Sequence, residues 1–275
     1  SKERGQILEA VRKYKDSIKV YETMLKRIER EQFASSYISG LKKKLINKEG
    51  LAASTQVKQL SKLVDSISNR YNMFYVIFDI LTLWDYQCMI ALEDWKERSG
   101  WHLQQWLMTI GELEALSSLA VLGFDNRDWI MPEITDEALV YNAGGMGHPL
   151  LGKKAVRNDL SFDGDTKVLL ITGSNMSGKS TLLRTAGINL ILAYTGAAVC
   201  AKSFRCSLLE VHTCMRISDN LEKSISSFYA ELLRIKTIVQ ASGEGRRIFF
   251  LLDEIFKGTN SLDRHLGAKV LVNKL

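Results

Sequence analysis

The sequence predicts an α/β domain of the P-loop NTPase type with a mainly parallel sheet, preceded by a mainly α-helical domain. Three observations carry that reading. Residues 1–130 hold six glycines and no proline, so little there interrupts helices. Short β-type runs begin near Pro132 and alternate with helical patterns, the order that builds a parallel sheet. Between one such run and the helix after it stands GSNMSGKST, residues 173–181, a glycine-rich stretch of the kind that wraps phosphate. The boundary between the two domains is placed at 130/131.

In the helical half, KYKDSIKVYETMLKRIEREQ (13–32) reads as an amphipathic helix. From Val57 onward, Leu60, Leu63, Val64, Ile67, Tyr71, Phe74 and Phe78 recur at intervals of three and four, which puts them on one helical face. They predict a helix over about 54–98, either one lever or coiled-coil arm, or two packed helices. HLQQWLMTIGELEALSSLAVL (102–122) predicts a further helix, and Trp84, Trp95, Trp101 and Trp106 are expected to pack the junctions. The apolar stretch 73–92 is as long as a membrane span, but Asp79 and Asp85 inside it would be costly in lipid, so it is read as a core helix.

Composition bounds the class. A chain of 275 residues, 46% hydrophobic and 25% charged, can bury one large or two ordinary cores. Its net charge of +6 is unevenly spread: residues 1–70 carry 16 Lys+Arg against 8 Asp+Glu, residues 71–150 carry 3 against 12, and residues 151–275 carry 18 against 11. Basic ends of this kind suit a polyanion, although charged helix faces are more often simply solvated. The four cysteines form no C-x-x-C pair and the four histidines no metal-ligand spacing, which points to a reduced, cytoplasmic protein without structural zinc. The chain opens without a signal peptide and ends at Leu275 inside a helical pattern, so it reads as a piece of a longer protein.

In the second half the expected strands are ALVYN (138–142), KVLLIT (167–172) and RIFFLLD (247–253), and the expected helices lie at about 179–194, 224–241 and 262–275. The pattern G-x-x-x-x-G-K-[ST] is complete in Gly173, Gly178, Lys179 and Ser180. Its glycines let backbone N–H groups turn toward phosphate oxygens, and Lys179 can reach the β- and γ-phosphates of ATP. The Ser180 hydroxyl can ligate Mg²⁺. The whole run Gly173, Ser174, Asn175, Met176, Ser177, Gly178, Lys179, Ser180 and Thr181 is therefore the candidate phosphate site, backed by the N-terminus of the helix it opens. Downstream, FFLLDEIFKGTN ends an apolar strand in two acids. Acid pairs often simply close a strand. With a phosphate loop upstream, Asp253 is expected to hold Mg²⁺ through its water shell and Glu254 to orient or deprotonate the attacking water.

These segments resemble one family. GSNMSGKSTLLRTAG, SDNLEKSISSFYAELLRIKTIV and LLDEIFKGTNSLDRH look like the phosphate loop, signature segment and acid-pair strand of the MutS family of DNA mismatch-repair ATPases, across essentially all of residues 166–275. The resemblance implies an ABC-ATPase-like fold, ATP and Mg²⁺ as cofactors, duplex DNA as partner, and a homodimer. It implies that Asn175 lies near the γ-phosphate and that Val156 contacts adenine through its backbone. Ser226, with Ser227 beside it and Phe228 and Glu231 at the spacing S-[ST]-F-x-x-E, then reaches the nucleotide of the opposite subunit. Ser174 and Ser177 depart from the family's usual proline and glycine, and Ala155 stands near where many members stack an aromatic on adenine. The helices of residues 1–130 resemble the family's core and lever region. No Phe-x-Glu mismatch-reading motif is present in these residues. Two other classes share part of the pattern: an ABC-type or chromosome-organising ATPase, which needs an L-S-G-G-Q-like segment that ISSFYAE does not supply, and a scaffold that binds nucleotide without repairing anything.

Overall fold

A computed structural model describes residues 13–47, 49–68, 83–163, 168–174, 176–215, 227–256 and 258–275. The chain divides into two units that meet at Ser117 and Ser118.

The N-terminal unit is helical. Helix α1 (Lys15–Arg30) turns Leu25 inward with Ile18, Met24 and Ile28, and its Asp16 near the start and Arg27 and Arg30 at the end suit the helix dipole. Ser35 caps α2 (Ser36–Lys43) by accepting from the Ile38 N–H at 3.4 Å. Then come α3 (Ala53–Ser68) and α4 (Trp84–Asp125). The expected helix over 54–98 does not run through: Leu83 has φ +51°, a left-handed backbone that ends any right-handed helix, and α4 starts after it. Residues 69–82, with Tyr71, Phe74, Phe78 and most of the apolar stretch 73–92, lie outside the described residues.

The expected helix 102–122 is instead the second half of α4, which continues through Gly100 for 42 residues. What keeps it continuous is one packed face. Trp106 lies three turns beyond Trp95 and returns to within about 20° of it, so Trp95, Trp106 and Ile110 enter one core with Leu25, Leu45 and Val57. Trp101 falls about 120° away. It is 87% exposed and packs no junction, contrary to the expectation for it. A buried polar knot ties α4 to α3: Trp95 Nε1 donates to the Gln56 carbonyl at 2.8 Å, and Ser99 Oγ donates to Gln56 Oε1 at 2.8 Å. By length and composition α4 could cross a membrane, but it carries Glu93, Asp94, Lys96, Glu97 and Arg98 and buries Trp95 and Trp106 in the core it shares with α1 and α3.

The C-terminal unit is α/β. Strands β1 (Glu133–Thr135), β2 (Val140–Met146), β3 (Asn158–Asp163) and β4 (Ser203–Ser207) form a sheet of order β1-β4-β2-β3. β1 runs parallel to β4, while β2 is antiparallel to both its neighbours. β5 (Glu210–Cys214) and β6 (Ile248–Leu252) make a separate parallel pair. Among the described residues the four-stranded sheet is thus mixed and the two-stranded one parallel. Helices α5 (Lys179–Tyr194), α6 (Ser227–Gly243) and α7 (Ser261–Lys274) complete the unit, close to where the periodicity put them.

KVLLIT is the clearest departure. Over residues 168–174 the described chain makes no strand. Both edges of β2 are taken by β3 and β4. Val168, Leu169 and Ile171 share the walls of an apolar cavity of about 370 Å³ with Phe249 and Leu251 of β6. A ladder needs backbones about 4.8 Å apart with their N–H and C=O groups facing, and this run makes no such ladder.

Tyr141 and Asn189 fix α5 in this unit. The Tyr141 ring stacks on Phe249 at 5.0 Å and meets Phe204 edge-on at 5.2 Å, and its hydroxyl donates to the Ala186 carbonyl at 3.0 Å. Burial pushes the phenol pKa up, keeping it a neutral donor. Asn189, fully buried, donates to the carbonyls of Gly147 (3.0 Å) and Thr185 (2.9 Å) and accepts from the Cys200 N–H (2.8 Å). α5 also comes close to β6 at Gly187, where a side chain would meet Leu251 Cδ1 at 2.7 Å. Replacing Asn189 by alanine strands a buried carbonyl and a buried N–H, so Asn189→Ala is expected to cost about 2–4 kcal/mol, read as a lower urea midpoint at unchanged slope.

Candidate nucleotide site

The phosphate loop is shaped by its backbone. Gly178, at φ +91°, caps α5 from the left-handed region, where a side chain is strained, and Met176 at φ +64° stands fully exposed before it. The Leu182 N–H then closes the first helical turn on the Gly178 carbonyl at 2.9 Å. Lys179 lies across the loop: its ammonium donates to the carbonyls of Gly173 at 2.8 Å and Ser174 at 2.6 Å. Ser180, half-buried, and Thr181 follow in the first turn, where helical N–H groups lack intrahelical partners and face an anion readily. Asn175 lies outside the described residues.

The acids sit at the end of the parallel pair. Cys214 stands opposite Leu252, and the Asp253 N–H donates to the Cys214 carbonyl at 3.1 Å, carrying the pairing one residue past β6. Asp253 is half-buried and Glu254 exposed. Glu254 at φ +50° and Phe256 at φ +59° are both left-handed without being glycine. Such residues persist only where their surroundings over-determine them. Here α6 and α7 do so. The Glu231 carboxylate accepts from the Phe256 N–H, and Arg264 donates to the carbonyls of Phe256 (3.2 Å) and Thr259 (3.3 Å).

Phe228 and Glu231 entered the sequence reading only as spacing marks, yet both touch this turn. A spacing of three puts two side chains on one helical face, and that was the available signal. Ser227 opens α6, and Ser226 lies outside the described residues. Val156 follows the 3₁₀ turn Pro149–Lys154 and is 78% exposed, on a segment tied down by Arg157, which donates to Asp128 at 3.0 Å and to the Gly145 carbonyl at 3.2 Å.

The donor set fits Mg·ATP. One hydroxyl (Ser180) and one carboxylate (Asp253) are hard oxygen ligands, and Mg²⁺ bound beside phosphates takes one or two such groups rather than a protein cage. Among the described residues no three His, Cys, Asp or Glu side chains gather as a cage would require. Burial pushes the thiols of Cys200, Cys206 and Cys214 up, Cys206 to about 11, so none of these three stands ready as a nucleophile. α5, which the loop opens, packs on β6, which the acids follow, at Gly187 and Leu251, and none of the described residues among 173–181 lines the apolar cavity.

Comparison with known proteins agrees with this geometry. The family described as MutS domain V matches residues 169–275. The DNA mismatch repair protein MutS 1 of Haloarcula marismortui is 36% identical over 159 residues, covering 56% of this chain and 17% of its own length. The DNA mismatch repair protein MutS of Clostridium kluyveri is 32% identical over 186 residues (65% and 21%), and that of Lactococcus lactis 29% over 206 residues (68% and 24%). The chain thus spans about a fifth of the length of the curated relatives it matches. The matched segment, which carries the phosphate loop, α6 and the acid pair, is a segment of the MutS domain V type.

Proposed function

We propose that this chain is the ATP-hydrolysing part of a DNA mismatch-repair protein of the MutS type, with residues 131–275 as an ABC-like P-loop ATPase and the helices up to residue 130 as a core and lever region. The observation that carries the reading is the pairing of a left-handed glycine cap at Gly178, opening α5, with two acids at the end of β6, inside the segment that matches MutS domain V. In this reading Lys179 leaves the loop carbonyls for the β- and γ-phosphates, Asn175 lies near the γ-phosphate, and the backbone at Val156 meets adenine. Ser180 and Asp253 would hold Mg²⁺, which when bound offsets phosphate charge. Glu254 accepts a proton from the attacking water as its oxygen bonds phosphorus and the bond to ADP breaks.

The reading extends to a homodimer in the cytoplasm. Ser226 and Ser227, at the start of α6, would reach the partner's nucleotide, adding a second helix N-terminus to the charge stabilisation that hydrolysis needs. Duplex DNA would be held through the helical region. Lys15 and Lys19 there are already paired with Asp65 at 2.9 and 3.1 Å, which holds its carboxyl below the usual range and leaves the phosphate contacts to other basic residues such as Lys26 and Lys43.

Three outcomes follow for the full chain. Lys179→Ala is expected to weaken Mg·ATP binding by roughly 10- to 150-fold in calorimetry, the about 1.5–3 kcal/mol of a charge-assisted bond, with the melting temperature unchanged. Glu254→Gln is expected to keep that affinity but to turn ATP over roughly 10²- to 10⁴-fold more slowly, since the amide keeps the shape and loses the base. Duplex affinity is expected to fall about 40- to 150-fold between 50 and 200 mM salt for three or four phosphate contacts. Affinity indifferent to salt, or no DNA binding, would favour a nucleotide-binding scaffold.

A further inference from the structure

Three features outside the nucleotide contacts converge on the turn after Asp253–Glu254. The first is strain: Glu254 and Phe256 both hold left-handed backbone, which is unfavourable for a residue with a side chain. The second is a buried carboxylate. Glu231, on the first turns of α6, is only 9% exposed, and it accepts from the Phe256 N–H. Burying an ionised carboxylate is costly, and a leucine would fill the same space without that cost, so its presence calls for a role other than packing. The third is contact without slack. A side chain on Gly258 would stand 2.8 Å from Phe228 Cβ, and one on Gly267 would stand 3.2 Å from the Phe256 ring. Phe256 itself is buried in the cluster that joins α6, α7 and the end of β5.

Together these make the turn a clamped element, held by α6 on one side and by Arg264 on the other. We infer that Glu231 is a positioning residue for hydrolysis: by fixing the Phe256 N–H it sets the left-handed turn that aims Glu254 at the attacking water. The inference rests on the reading of Glu254 as the base. It goes further in assigning to an acid of α6, remote from the phosphates, control over where that base points. The hydrogen bond needs an acceptor oxygen at the end of a two-methylene side chain. It does not need the charge.

That distinction is testable by two conservative variants of the full chain. Glu231→Gln keeps the acceptor oxygen and the reach, and is expected to retain kcat within about 3-fold. Glu231→Asp keeps the charge but falls one methylene short, and is expected to lose roughly 100-fold in kcat, the scale of a misplacement of about 1 Å. Its Mg·ATP dissociation constant by calorimetry should stay within about 2-fold, because Lys179 and Ser180 are untouched. A merely structural role would move affinity and melting temperature together and would not separate the two variants. Wild-type kcat in Glu231→Asp, or a Glu231→Gln as slow as Glu231→Asp, overturns the proposal. Glu254→Gln serves as the reference: if it is slow while Glu231→Asp is not, only the role of Glu231 falls. If Glu254→Gln turns over at full rate, the base assignment falls and the positioning role with it.

Discussion

The buried amide of Asn189 decides where α5 lies, and the site depends on α5. Its three hydrogen bonds reach Gly147, just after β2, and Cys200, just before β4, as well as the helix itself. In an apolar interior a fully paired amide of this kind is directional in a way that Leu190 or Ala193 beside it cannot be. The neighbouring aliphatic side chains hold the helix against the sheet. Asn189, together with the Tyr141 hydroxyl on Ala186, sets its rotation and its height. From that follows the place where the helix begins, at Lys179, and so the place where the phosphate loop must turn.

The acid turn obeys a different logic. Two left-handed residues stand in the few positions after β6, and a buried carboxylate from α6 and two tightly packed glycines, Gly258 and Gly267, close on them. Such a concentration of local cost is stable only because α6 and α7 close on it from both sides. The two halves of the site are thus built unlike each other: the loop gains its shape from glycine and the helix it caps, the acid turn from tertiary contacts.

That contrast also explains what the sequence could and could not say. The loop, α5, α7 and β6 were legible because their signals are local: a glycine cap, a 3.6-residue period, an apolar run ending in acids. β4 and β5 are five residues each and were not anticipated. In SFRCS only Phe204 and Cys206 mark the inward face, and Ser207 is buried where its hydroxyl accepts from the Val140 N–H and donates to the Glu137 carbonyl, partners far along the chain. KVLLIT has the composition of a buried strand, but a ladder also requires an edge within reach. The break at Leu83 has no breaker residue to announce it. Glu231 sat in plain view within a motif, but its role depends on a turn that lies 25 residues further on.

Gly187 gives the site a property that neither half shows alone. It lies eight residues into α5, about 12 Å from Lys179 along the helix axis, and it faces Leu251, two residues before Asp253. Glycine in mid-helix forgoes about 1 kcal/mol of helix propensity relative to alanine. In exchange the helix backbone comes up against the Leu251 side chain, which borders the apolar cavity. A single methyl group at this point would press the Leu251 side chain toward that cavity while making the helix intrinsically more stable. Helix propensity and the packing of α5 on β6 therefore pull in opposite directions at one residue, and a substitution that improves the helix disturbs the contact between the two elements.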